Sequence, residues 1–185
     1  MRHPSDYIEI FLQPGEHYFG DADTRIRTLL GSCVSLTLWH PRLRIGGMCH
    51  YLLPSRMREA GNGKDGDAGG ALDGRYGEEA TELLLGEIRA ANTAPSQYEV
   101  KLFGGGEMFP QIPSGKNGTQ IPGKNVGAAR SLAKRYGFKV VAEDMGGRGY
   151  RNIIFDIWSG NVWVRTADRD PRRIVIKPSS SRVKP

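Results

Sequence analysis

No stretch of this chain approaches the roughly 20 consecutive apolar residues that a bilayer-crossing helix needs, so stable membrane insertion through helices is not expected. The first residues lack the basic-then-apolar pattern of a secretory signal. Cysteine is scarce: Cys33 and Cys49 stand alone, without framework spacing, which excludes a disulfide-stapled scaffold. These absences together lead to the expectation of a cytoplasmic protein with reduced thiols. Histidine is scarce too. His3, His17, His40 and His50 occur with no Cys-x-x-Cys, so no metal site is expected. Aromatic residues are missing from the C-terminal stretch, where seven basic residues between Arg165 and Pro185 face only Asp168 and Asp170. Nucleic-acid binding is therefore not expected, because nothing there can stack on a base. A solvated flexible tail over 167–185 is the favoured reading, with docking on an acidic partner or anionic surface as its alternative.

Two phosphate-binding patterns are present only in part. Gly118-Thr119-Gln120-Ile121-Pro122-Gly123-Lys124-Asn125 ends in Asn where a phosphate loop needs a magnesium-holding hydroxyl, and no buried strand precedes it. Gly104-Gly105-Gly106 is followed by no third glycine at dinucleotide-binding spacing. No internal repeat is visible, and no cofactor is implied.

What is present reads as one domain over residues 1–166. A chain of 185 residues can bury about 70% of its unfolded surface. Alternating apolar residues predict strands over Tyr7–Leu12, Tyr18–Phe19, Ile26–Leu30, Val34–Trp39, Ile45–Leu52, Tyr98–Phe103, Phe138–Ala142, Asn152–Trp158 and Asn161–Thr166. Ser159-Gly160 is expected to make a tight turn between the last two. Ala80, Leu83, Leu84, Ile88 and Ala91 predict a helix over Glu78–Ala91, with Glu78 and Glu79 in its first turn. Val126, Ala129, Leu132 and Ala133 predict a second over Asn125–Tyr136, stopped by Gly137. Asn125 itself reads as a helix cap or turn former rather than a reagent. The expected class is α/β, with mostly antiparallel strands and both helices on one side of the sheet. Between His50 and the first helix, the Gly-, Asp- and Asn-rich segment 58–74 reads as a flexible loop, with a lid over the site as a second reading.

The chemistry-bearing feature is Gly31-Ser32-Cys33 followed, across a Pro41-containing turn, by His50. If Pro41 and Arg42 form the loop centre, Cys33 lies directly opposite His50, with Cβ atoms about 5 Å apart. Any even-length loop keeps both side chains on one face. Cys33, Ser35, Thr37, Met48 and His50 then share a mixed, wettable face. Val34, Leu36, Leu38, Ile45, Cys49 and Tyr51 share an apolar one. Cys49 becomes core filling and Cys33 the chemical thiol. A thiol beside an imidazole is a nucleophile–base pair and points to a thiol hydrolase.

Thr28-Leu29-Leu30-Gly31-Ser32-Cys33-Val34 and Ile45-Gly46-Gly47-Met48-Cys49-His50 resemble the signature of the CheD family, the chemoreceptor glutamine deamidases of bacterial chemotaxis. Further blocks of that resemblance are Arg75-Tyr76, Lys101 to Phe109, Gly123-Lys124-Asn125-Val126, Asp144 to Arg148, Ile153 to Asp156 and Ser159-Gly160. The likeness spans residues 7–166. Segment 58–74 departs as an insertion or long variable loop, and the basic tail lies outside the shared part. The resemblance implies a three-layer α/β/β sandwich and a Cys–His–Thr site. Cys33 would be the nucleophile, His50 the base and Thr28 the third member, with Thr24 and Thr37 as nearby rivals. Backbone groups around Ser32 and Cys33 are expected to serve the oxyanion. Gly104 and Gly105 are read either as a structural turn or as substrate contacts. The implied substrate is glutamine on the cytoplasmic helices of a chemoreceptor, with methyl-ester hydrolysis as a possible side activity and a CheC-like phosphatase as a possible partner. A non-catalytic adaptor and a peptidase- or transglutaminase-like enzyme are the competing readings.

Overall fold

The computed structural model describes residues 6–56, 71–108, 121–167 and 174–178. The chain alternates short strands with two helices: β1 (Ile8–Phe11), β2 (His17–Gly20), β3 (Thr24–Leu30), β4 (Val34–His40), β5 (Ile45–Tyr51), α1 (Gly77–Ala90), β6 (Glu99–Gly104), α2 (Ile121–Arg135), β7 (Lys139–Met145), β8 (Tyr150–Asp156), β9 (Asn161–Ala167) and β10 (Ile174–Pro178). Among the described residues these strands form two sheets, a central one ordered β2-β5-β4-β6-β7 and an outer one ordered β1-β3-β8-β9-β10. Pairing is antiparallel except for β1 with β3 and β6 with β7.

Layering follows from which faces are apolar. The helices lay Ala80, Leu84, Leu85, Ile88, Ala129 and Ala133 against Val34, Leu36, Leu38, Cys49 and Tyr51 of the central sheet. The opposite face of that sheet carries Met48 and Phe103 against Ile26, Leu30, Ile153, Phe155, Val162 and Val164 of the outer sheet. The result is an α/β/β sandwich with both helices on one side. Strand β4 is buried on both faces along nearly its whole length, because it sits mid-sheet in the middle layer. Each fully buried aliphatic side chain there stabilises by about 1.5–3 kcal/mol.

Several expectations change. The β4–β5 hairpin closes with His40 opposite Ile45, so Ser35, not Cys33, stands opposite His50. The loop is Pro41 to Arg44, one residue later in its centre than expected. The cause is local: the Leu43 N–H donates to His40 Nδ1 and the Arg44 N–H to the His40 carbonyl, while Arg44 turns left-handed at φ 53°. The loop stays even in length, so the two faces keep the expected membership. The face expected to be wettable is nevertheless sealed: Ser35, Thr37, Met48 and His50 are buried, because the outer sheet covers it. The β8–β9 connection is four residues long, with Asp156 opposite Asn161 and Gly160 left-handed at φ 71°, rather than a two-residue turn. Helix α2 spans Ile121–Arg135 rather than Asn125–Tyr136, so Gly123 and Lys124, expected ahead of the helix, lie within it. Within the stretch read as a tail, Ile174–Pro178 adds a strand to β9, as the β-branched run Ile174-Val175-Ile176 favours. The Gly-rich segment 58–74 and its lid reading fall outside the described residues except for 71–74.

Candidate active site

His50 is held from two directions. Its backbone lies against the turn after β1, where the Gly15 N–H donates to the His50 carbonyl (2.7 Å) and the His50 N–H to the Glu16 carbonyl (2.9 Å). Its ring reaches across the interlayer space to β3, where Nδ1 meets Thr28 Oγ1 at 2.7 Å. The Thr28 hydroxyl donates its proton to the Leu12 carbonyl at 2.9 Å. A hydroxyl has one proton to give, so Thr28 Oγ1 accepts from His50, and Nδ1 carries the ring hydrogen. That fixes the tautomer with the Nε2 lone pair free. Nε2 is buried and has no hydrogen-bond partner among the described residues, the Cys33 thiol included. Thr24 and Thr37 are also buried, but Thr37 Oγ1 turns to the Lys101 carbonyl, and Thr28 is the threonine bonded to His50.

Cys33 lies in the turn just before β4, half-buried, while Cys49 is sealed in the helix-side core. Burial pushes both thiols up, Cys49 to about 11; at Cys33 the Ser32 hydroxyl and the residue's own backbone N–H pull the other way. Burial drives His50 down to about 4 against weaker pulls from Leu12 and Glu16. At neutral pH the resting groups are therefore a thiol and a neutral imidazole. This is the state of a general base waiting to take a proton, rather than a preformed thiolate–imidazolium pair.

The turn carrying Cys33 is braced by the end of β6. The Gly105 N–H donates to the Cys33 carbonyl (2.8 Å) and the Gly106 N–H to the Gly31 carbonyl (2.9 Å). Gly105 therefore has no N–H left for an oxyanion, and both Gly104 and Gly105 act as supports. Gly104 has φ 113°, and a side chain there would collide with the Cys33 carbonyl. Gly104→Ala is expected to displace the turn carrying Cys33, with a stability loss of about 1–3 kcal/mol and a larger proportional loss of turnover. Thermal melting read beside activity checks this.

Sequence reasoning missed two buried polar side chains. Arg151 donates to Asp144 and to the Gly146 carbonyl, bracing the loop that receives the Glu107 N–H at Gly147. Its signal was available: position 151 shares the inward parity of Ile153 and Phe155. Asn125 is 0% exposed and donates through Nδ2 to the carbonyls of Ser32 (3.0 Å) and Leu52 (2.8 Å). It occupies the apolar stripe of α2, four residues before Ala129, where a polar residue is out of place.

Comparison with known proteins converges on one family. The model of the family described as "CheD chemotactic sensory transduction" matches residues 52–166. A protein of Pseudomonas savastanoi pv. phaseolicola named "Probable chemoreceptor glutamine deamidase CheD" is 50% identical over 165 residues, 89% of this chain and 88% of that one. A relative from Dechloromonas aromatica, "Probable chemoreceptor glutamine deamidase CheD 3", is 50% identical over 161 residues, covering 87% and 89%. One from Leptospira interrogans, "Probable chemoreceptor glutamine deamidase CheD 1", is 36% identical over 165 residues, covering 87% and 94%. With that extent and identity, this chain belongs to the CheD family.

Proposed function

We propose that this protein deamidates glutamine side chains of chemoreceptors, with Cys33 as nucleophile, His50 as general base and Thr28 as the group that orients the base. The observation that carries this reading is the relay Leu12 carbonyl, Thr28 hydroxyl, His50 Nδ1–H, which leaves a buried Nε2, unpartnered among the described residues, on the same sheet face as the half-buried Cys33. The names of the relatives supply the substrate class.

The reaction runs in two halves. His50 Nε2 takes the Cys33 proton as sulfur bonds to the amide carbon. Backbone N–H groups of the Ser32–Cys33 turn receive the oxyanion. The tetrahedral adduct collapses by breaking the C–N bond, and the imidazolium gives its proton to departing ammonia. Water, deprotonated by the same ring, then cleaves the γ-glutamyl thioester. Glutamate and the free thiol result. Methyl-ester hydrolysis is the same sequence with methanol leaving, and we propose it as a side activity. Cys33 directly precedes Val34, the last residue paired with β5, and its thiol makes no hydrogen bond to His50 Nε2 in the resting structure. The mechanism requires thiol and imidazole to close on substrate binding, as resting sites often tighten in the substrate complex. We propose that the reaction occurs in the cytoplasm, on receptor helices, with a CheC-like phosphatase as a further partner.

The test is mass spectrometry of a receptor cytoplasmic fragment incubated with the protein. Deamidation adds about 1 Da per modified glutamine; chain cleavage or cross-linked products would instead reveal a peptidase or transglutaminase. Thr28→Val is expected to leave His50 Nδ1–H unpaired, at about 1–3 kcal/mol, and to slow turnover about 10- to 100-fold. Thr28→Ser should restore most of it, because the hydroxyl relay is kept. Steady-state rates of the two variants check this.

A further inference from the structure

Three successive carbonyls of the nucleophile turn are each held by a separate donor. Gly31 is held by the Gly106 N–H, Ser32 by Asn125 Nδ2 and Cys33 by the Gly105 N–H. A trans peptide is planar, so its N–H points opposite to its carbonyl. Anchoring the Ser32 carbonyl on Asn125 therefore turns the Cys33 N–H away from α2. Anchoring the Gly31 carbonyl on Gly106 likewise turns the Ser32 N–H away from Gly106. Neither N–H donates to a backbone carbonyl among the described residues.

We infer that Asn125 is a positioning residue whose carboxamide, by holding the Ser32 carbonyl, aims the Cys33 N–H at the developing oxyanion. The inference rests on Cys33 being the nucleophile. The amide orientation is dictated by its surroundings: two carbonyls accept from one end, and only the NH₂ end can face both. The second bond, to Leu52, ties the same side chain to the segment just beyond His50. The Tyr51 hydroxyl donates to the Asn125 backbone carbonyl at 2.9 Å, fixing that turn of α2 over the strand end. One side chain thus couples the turn bearing the thiol to the strand bearing the base. Because Asn125 touches neither thiol nor imidazole in these contacts, its effect passes through the Ser32–Cys33 peptide.

The test separates oxyanion stabilisation from thiol reactivity. Asn125→Ala should lower kcat about 10- to 100-fold with KM little changed. It should weaken a receptor peptide bearing a glutamate semialdehyde, whose hemithioacetal oxygen occupies the oxyanion position, by a similar factor. Alkylation of Cys33 by iodoacetamide, which develops no oxyanion, should keep its rate and pH profile within about 2-fold. Asn125→Ser, which retains one donor, should fall between. Unchanged kcat in either folded variant, or equal losses in alkylation and turnover, would overturn the inference. In the unsubstituted protein the Cys33 amide proton should move downfield when the semialdehyde peptide binds; no movement overturns it without any variant. If Cys33→Ala keeps its turnover, the underlying cysteine reading fails instead.

Discussion

Changing Cys33 to alanine is expected to lower deamidation of a receptor fragment by at least about 10³-fold while leaving the fold in place. Cys33 sits in a turn and is half-buried, so losing its sulfur opens little cavity. Cys49 cannot take over, since it faces the helix layer, sealed from the interlayer space where His50 lies. Cys33→Ser should be nearly as inactive. A hydroxyl is far harder to deprotonate than a thiol, and an imidazole held down to about 4 is a weak base for it. Cys49→Ser reverses the pattern: a hydroxyl in that apolar core costs about 1–3 kcal/mol of stability, with turnover retained in the folded fraction. Intact-mass assays and melting curves of the three variants distinguish these outcomes. An adaptor without chemistry would show no dependence on Cys33.

His50→Gln is expected to reduce turnover by a comparable factor, and the pH dependence of the unsubstituted protein should show why. In the proposed mechanism the working form of His50 is neutral, and burial lowers its titration to about 4. Activity is thus expected to be level between about pH 5 and 8 and to fall only as acid protonates the ring below that plateau. The thiol is raised rather than lowered, so no loss should appear as pH climbs through 8. A decline there would reveal an imidazolium losing its proton and hence a preformed ion pair. Stability carries the same signature with the opposite reference state. In the unfolded chain the ring takes up a proton near its ordinary 6.5, whereas in the fold it resists until about 4. The stabilising contribution is fully present above 6.5 and is lost as pH falls towards 4, by as much as about 3 kcal/mol. Denaturant titrations at several pH values should show this loss in the unsubstituted protein and less of it in His50→Gln.

How much of this was legible in the residues differs between levels. Strand and helix positions follow from period-2 and period-3.6 patterns, and the split of Cys33 from Cys49 follows from parity alone, which survives a two-residue register shift. The register itself was not readable. It is set by His40 Nδ1 accepting the Leu43 N–H and by the left-handed Arg44, and neither residue advertises that geometry. The polarity of the shared face was misjudged because a strand's own sequence does not say what packs over it. Ser35 and Thr37 look solvent-facing until the outer sheet is in place. Thr28 came from the family resemblance, and only the structure shows its hydroxyl at His50 Nδ1. Asn125 was passed over because polar residues near a helix start usually cap it. Here the helix spans Ile121–Arg135, which moves Asn125 inward to where its side chain reaches the Ser32 carbonyl beside Cys33.

The central claim is that the Cys33 sulfur attacks the glutamine side-chain carbon. The most direct measurement uses a receptor-derived fragment whose target glutamine is replaced by its diazoketone analogue, whose diazomethyl carbon, beside the carbonyl, takes a proton and alkylates the nucleophile held there as N₂ leaves. Peptide mapping should find the adduct on Cys33, its formation strongly slowed in His50→Gln and absent in Cys33→Ala although Cys49 remains. An adduct on any other residue, labelling that persists without Cys33, or no labelling of a protein that deamidates the natural fragment would contradict the claim.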